Sequence, residues 1–240
     1  MIPWRSLGPW CLGGALFCVL AGPAAAELAH AGFTGLITTP TAEVLPDGQF
    51  DAQFTWLDGP NTYLMAPKTN RLYIFSVGAL PGLEATLRFN QVIGWVDPDA
   101  PGVAWAFDRM FSAKYRLPLP ERWPHVAVGL YDMISAGYLS GIVGSTWNGT
   151  LFGQTTPYVV MGQDRGAWSW NAGYGVSQSF INGPFAGLDY RPWKPLSLMA
   201  EYDSHRVNLG VTLSLGPLHL KVSRIGFDTW AIGANLLIGL

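Results

Sequence analysis

Phe50-Asp51-Ala52-Gln53-Phe54-Thr55-Trp56 sets apolar residues at even positions and polar residues at odd ones. Successive side chains of a strand point to opposite faces, so this stretch predicts a strand with one oily and one wet face. The same period of two governs residues 83–90, where Leu83, Ala85, Leu87 and Phe89 alternate with Glu84, Thr86, Arg88 and Asn90. It returns at 111–117, 168–176, 196–203, 207–214, 218–223 and 230–240. Charges two residues apart do not suit an amphipathic helix. Less regular strand candidates are 71–79, 125–132, 138–147, 157–162 and 184–190, and 32–38 is ambiguous. A barrel of about twelve strands, twelve to fourteen with the ambiguous segments, fits the chain length at roughly 10 residues per strand.

Composition says what solvent the oily face meets. Charged residues are 12% of the chain, against about 25% in ordinary soluble domains, while aromatics reach 13%. Beyond residue 26, no segment approaches the 18 or so continuous apolar residues of a membrane-crossing helix. An apolar chain without a spanning helix fits a transmembrane barrel, in which only every second residue faces lipid. Short punctuation at Pro81-Gly82, Pro192–Pro195 and Gly216-Pro217 alternates with longer gaps at 57–70, 91–106 and 147–156, the loop asymmetry of outer-membrane barrels. Trp56, Trp147, Trp168, Trp193 and Trp230 lie near strand ends, where an interfacial aromatic girdle belongs. The final residue, Leu240, departs from the aromatic ending common in such barrels.

The start of the chain reads as an export signal. Arg5 supplies the basic charge, residues 7–20 the apolar stretch and Ala24-Ala25-Ala26 the cleavage site. The expected organisation is a cleaved signal peptide over 1–26 and one outer-membrane β-barrel domain over 27–240. The fold class is therefore all-β, a single up-and-down antiparallel transmembrane barrel. Cys11 and Cys18 both fall in the signal, which excludes disulfide and cysteine–zinc chemistry from the mature chain. A formal net charge of −2 argues against nucleic acid as a partner.

Function must be sought on the wet face. Arg or Lys at the lipid-facing midplane costs about 2–4 kcal/mol, so the charges are expected in the lumen. The candidate lumen-lining residues are Glu84, Arg88, Lys114, Arg116, Glu201 and Asp203, joined by Asp108 and Arg109 at the start of a strand, with Asp108 on the inward side. Two readings stand side by side. The set fills and rigidifies the lumen as paired charges, or it lines a path for a hydrated, acidic sugar polymer. Tyr73, Trp95 and Trp105 are rim aromatics that suit sugar stacking as well as packing.

Catalytic patterns are scarce. The chain has no Gly-x-Ser-x-Gly elbow, no phosphate loop and no paired-histidine metal spacing, so no enzyme activity, cofactor or metal is expected. His30 is assigned to an unstructured start and His125 to a strand entry. Asp203-Ser204-His205 holds the residue types of a hydrolytic triad, but neighbours in one turn point in different directions and read as a polar turn. A barrel-embedded hydrolase stays the minor alternative, and a closed anchoring barrel the structural one.

Several segments carry more than a pattern. They are residues 32–48 (GFTGLITTPTAEVLPDG), Phe107-Asp108-Arg109 with Lys114-Tyr115-Arg116-Leu117, residues 127–132 (AVGLYD), residues 185–192 (FAGLDYRP) and Ala200-Glu201-Tyr202-Asp203-Ser204. In this order they resemble the YjbH-like outer-membrane proteins. The resemblance implies a Gram-negative outer-membrane barrel tied to exopolysaccharide production or export, with outer-membrane lipid around it. It also implies exopolysaccharide and periplasmic or lipoprotein export components as partners. Many members of that family are longer and carry further parts, whereas this sequence reads as one barrel.

Overall fold

In a computed structural model of the chain, residues 27–58, 69–93, 105–133, 155–176 and 181–239 are described. The signal peptide, the strand candidate 138–147, Trp95, Trp147 and Leu240 lie outside the described residues, as do the side chains of Trp105 and Asp108. Among the described residues, twelve antiparallel strands form a closed barrel in which each strand pairs with its sequence neighbours and β1 closes on β12. The strands are β1 (Gln49–Asp58), β2 (Asn70–Leu80), β3 (Leu83–Ile93), β4 (Trp105–Arg116), β5 (His125–Tyr131) and β6 (Thr156–Arg165). They continue as β7 (Trp168–Gly175), β8 (Gly183–Trp193), β9 (Leu196–Tyr202), β10 (Val207–Leu215), β11 (Leu218–Ile225) and β12 (Thr229–Gly239). The irregular candidates at 71–79, 125–132, 157–162 and 184–190 all fall on strands.

Alternation sets the wall. Asp51, Gln53 and Thr55 are buried inside, while Phe54 is exposed on the outer face. On β10, Asn208, Gly210 and Thr212 face in, while Val207, Leu209, Val211 and Leu213 are exposed. An outward apolar belt with polar side chains inside is the transmembrane barrel arrangement. The closing seam pairs Gln49 with Gly239 through to Asp58 with Trp230 without a break.

The two ends differ. One end carries short turns, such as Gly216-Pro217 between β10 and β11, where Gly216 takes a φ of 65° that a side chain would strain. The opposite end carries the long connections after β1, β3 and β5. In outer-membrane barrels short turns face the periplasm and long loops the exterior. Trp168 and Trp193 mark the short-turn end and Trp56 and Trp230 the other, two rims of an aromatic girdle. Trp168 stacks on Tyr190, and Arg224 lies over the Trp230 ring.

The ambiguous segment resolves here, and the placement of His30 fails. Residues 32–38 add no strand to the wall. They belong to a segment, residues 27–45, that enters the lumen before β1 begins, and most of its residues are buried. His30, expected in an unstructured start, is 0% exposed in the barrel interior. The segment is an apolar core for the barrel: Leu28, Phe33, Leu36 and Ile37 pack against inward Leu57, Leu72, Ile74, Tyr131 and Phe185 in one cluster.

Candidate functional site: the lumen and the segment that fills it

The segment is folded on itself. His30 N–H donates to Ile37 O at 2.7 Å, Gly35 N–H to Glu27 O at 2.9 Å and Leu36 N–H to Thr39 O at 3.0 Å. Gly35 is required at the tight loop, since a Cβ there would lie 2.2 Å from Thr39 O. A knot of about 20 residues cannot satisfy all its backbone groups internally, and buried ones must find partners. The barrel wall supplies them.

Glu84 on β3 accepts Thr34 N–H at 2.7 Å, the Thr34 hydroxyl at 2.5 Å and Leu45 N–H at 3.1 Å. Glu201 on β9 accepts Ile37, Thr38 and Thr39 N–H groups at 3.0, 2.7 and 3.2 Å. It also accepts the hydroxyls of Thr38 at 2.6 Å and Thr39 at 2.7 Å. Three successive N–H groups converging on a carboxylate form an anion-binding concavity. The wall cations take the carbonyls. Lys221 donates to Leu28 O and Leu36 O, each at 2.6 Å, Lys114 to Thr34 O at 2.7 Å and Arg88 to Ala31 O at 3.0 Å. Charge-assisted bonds of this kind are about twice as strong as neutral ones.

At the short-turn rim, Arg116 pairs with Glu43 at 2.7 Å, and His125 bonds the same carboxylate. Glu27 enters beside His219 and Lys221, at 3.6 and 3.8 Å. Burial opposes the charge on Glu27, but the hydrogen bond to His219 and the attraction of Lys221 outweigh it and hold the carboxyl at about 2. Deeper in, His30 bonds Thr55 and Ser223, both at 3.2 Å, and burial with the nearby Lys221 charge keeps its imidazole well below the usual range.

The expected lumen set divides on inspection. Glu84, Arg88, Lys114, Arg116 and Glu201 all reach the inserted segment. Asp203 accepts Asn208 Nδ2 at 2.8 Å and the Thr38 hydroxyl at 3.4 Å, and also takes His205 and Arg206 N–H groups across its own turn. Asp203-Ser204-His205 is therefore a carboxylate-capped turn between β9 and β10, with Ser204 at φ 80°. Arg109 does not line the lumen: it is exposed on the outer face, on the same side of β4 as Phe111. It lies in the half of β4 nearer the long-loop end, and an outward arginine costs less there than at the midplane.

Sequence reasoning missed Lys221, His30 and a set of wall glycines. Gly187, Gly210 and Gly233 face inward against Leu36, Ile37 and His30. A Cβ at Gly187 would sit 2.4 Å from Leu36 Cδ1, and one at Gly210 would sit 2.9 Å from Ile37. At the rim, a Cβ on Gly78 would lie 1.9 Å from Pro46 O. The wall is shaped to this segment. The readable signal was glycine at inward positions of otherwise regular alternation.

The YjbH family model, described as "Exopolysaccharide biosynthesis protein YbjH", matches residues 27–209, so the match begins with the inserted segment. Among solved structures, the COG4313 outer membrane channel from Pseudomonas putida F1 is similar at a TM-score of 0.44 and 11% identity, covering 85% of this chain and 100% of that one. The N-terminal β-barrel domain of Pseudomonas aeruginosa OprF aligns at a TM-score of 0.26 and 7% identity, over 80% of this chain and 98% of that domain. No curated protein sequence matches the chain.

Proposed function

The chain belongs to the YjbH family, and from that premise we propose that it is a passive, non-enzymatic outer-membrane component of exopolysaccharide production and export. In this reading its lumen is closed at rest by its own residues 27–45. One observation carries the closed state: Glu84, Arg88, Lys114, Arg116, Glu201 and Lys221 all spend their charge on that segment. A permanently open pore would leave such groups to water. The family supplies the polymer, and the apolar belt with its two aromatic rims supports the membrane location. Transport through the barrel then requires displacement of the segment, with the energy coming from periplasmic or lipoprotein partners.

The test is a deletion strain assayed for extracellular polysaccharide. The expected result is a loss of released polymer, restored by the full-length chain supplied in trans. Unchanged polymer in the deletion strain would overturn the export role.

A further inference from the structure

The place where Phe33 and Thr34 sit has the make-up of a sugar subsite. Phe33 lies against two tyrosines, with ring centroids 5.7 Å from Tyr131 and 5.7 Å from Tyr158. Tyr158 lies across the wall because residue 129 is glycine: a Cβ there would come 2.3 Å from the Tyr158 ring. Arg88 lies 5.1 Å over the Tyr131 ring. Beside the ring, Thr34 offers a hydroxyl and an N–H to both oxygens of Glu84, and its carbonyl takes Lys114.

A hexopyranose presents the same chemistry. One face is a patch of C–H groups that packs on an aromatic ring, and its edge carries hydroxyls that donate to carboxylates. Phe33 supplies the apolar face and Thr34 the adjacent hydroxyl. About four residues on, Thr38 and Thr39 present two more hydroxyls to Glu201.

We infer that Tyr131 and Tyr158, with Glu84, Arg88 and Lys114 at their edge, form a pyranose-binding subsite of the lumen that Phe33-Thr34 occupies as an internal stand-in. The inference rests on the export reading above. Two cations against one carboxylate at this seat favour an acidic sugar over a neutral one. The polymer and the inserted segment then compete for one place, and arrival of the sugar chain itself holds the lumen open.

The experiment is single-channel recording in planar bilayers with the full-length barrel, the double variant Phe33→Ala/Thr34→Ala and a chain lacking residues 28–44. The probes are hexagalacturonate and cellohexaose. Wild type is expected to stay mostly closed and both variants to conduct. Hexagalacturonate should block the open current at least tenfold longer than cellohexaose. Adding Tyr131→Ala or Tyr158→Ala should shorten that block about tenfold, while Tyr174→Ala on the outer face leaves it unchanged. Block that ignores the two tyrosines, or no block of a conducting variant, overturns the subsite. Failure of both variants to conduct also overturns it, since the seat would then never open. These failures are distinct from that of the export role, which the deletion strain tests without any recording.

Discussion

Glu84 and Glu201 hold opposite sides of the same inserted segment by different means. Glu84 takes three donors from the segment and also faces Lys114 Nζ at 3.5 Å, with both side chains 1% exposed. Glu201 has five donors from the segment and a sixth from Asn208 at 2.9 Å. One carboxylate has a cation at ion-pair distance; the other takes its direct contacts from neutral donors, with Lys221 further off. Removing a member of a buried ion pair strands the survivor, whereas removing a carboxylate ringed by neutral donors strands only those donors. The two sides of the site should therefore fail differently.

Glu84→Ala is expected to have the largest effect. It leaves Lys114 buried without its counter-ion and should weaken docking of residues 27–45 by about 3–5 kcal/mol. The readout is channel opening together with protease cleavage inside the segment. Glu84→Gln/Lys114→Met should recover only the part of that loss that comes from the stranded charge, because the amide still sets a donor against those of Thr34 and Leu45 and Thr34 O loses its bond from Lys114. A double variant as damaged as the single one would remove the contrast with Glu201.

Glu201→Gln comes next, at about 1–3 kcal/mol, since an amide keeps the shape but turns its own donor against a ring of donors. A second substitution at Lys221, which makes no direct ion pair with Glu201, should rescue it less than Lys114→Met rescues Glu84→Gln. Acidification is expected to have the smallest effect. His30 is kept neutral when docked, so its docked value lies below the usual 6.5. Docking is then strongest above 6.5 and weakens as pH falls, by at most about 1.4 kcal/mol per pH unit. Glu27, held at about 2, keeps its charge through that range and adds its own loss only below its usual 4.5. Openings should rise between pH 7 and pH 5, and His30→Gln should flatten that rise.

The wall was legible because lipid imposes period two on every strand, and residues 50–56 already display it. Arg109 shows where that logic was not followed through. It shares an odd position with Phe111, and parity alone places both outside. The inserted segment was harder to see. Phe33, Leu36, Ile37 and the threonines mix apolar and hydroxyl side chains as an irregular strand does. Its partners are wall residues far along the chain, and no local pattern marks them. Lys221 and the inward glycines sat in strands whose parity was correct, but their purpose appears only once something occupies the lumen. Charges that read either as lumen-filling pairs or as the lining of a path are the sockets of an internal segment.

The reach of the segment bears on how the molecule folds. His30 bridges Thr55 on β1 and Ser223 on β11, partners on either side of the β12 seam and up to 193 residues from the histidine. Lys221 on β11 binds Leu28 across the same separation. Contacts this distant in sequence form slowly, because loop-closure entropy must be met before they contribute. Residues 28 and 30 therefore find their partners only once the first and last strands have met, so docking of the segment is expected to follow closure of the β1–β12 seam.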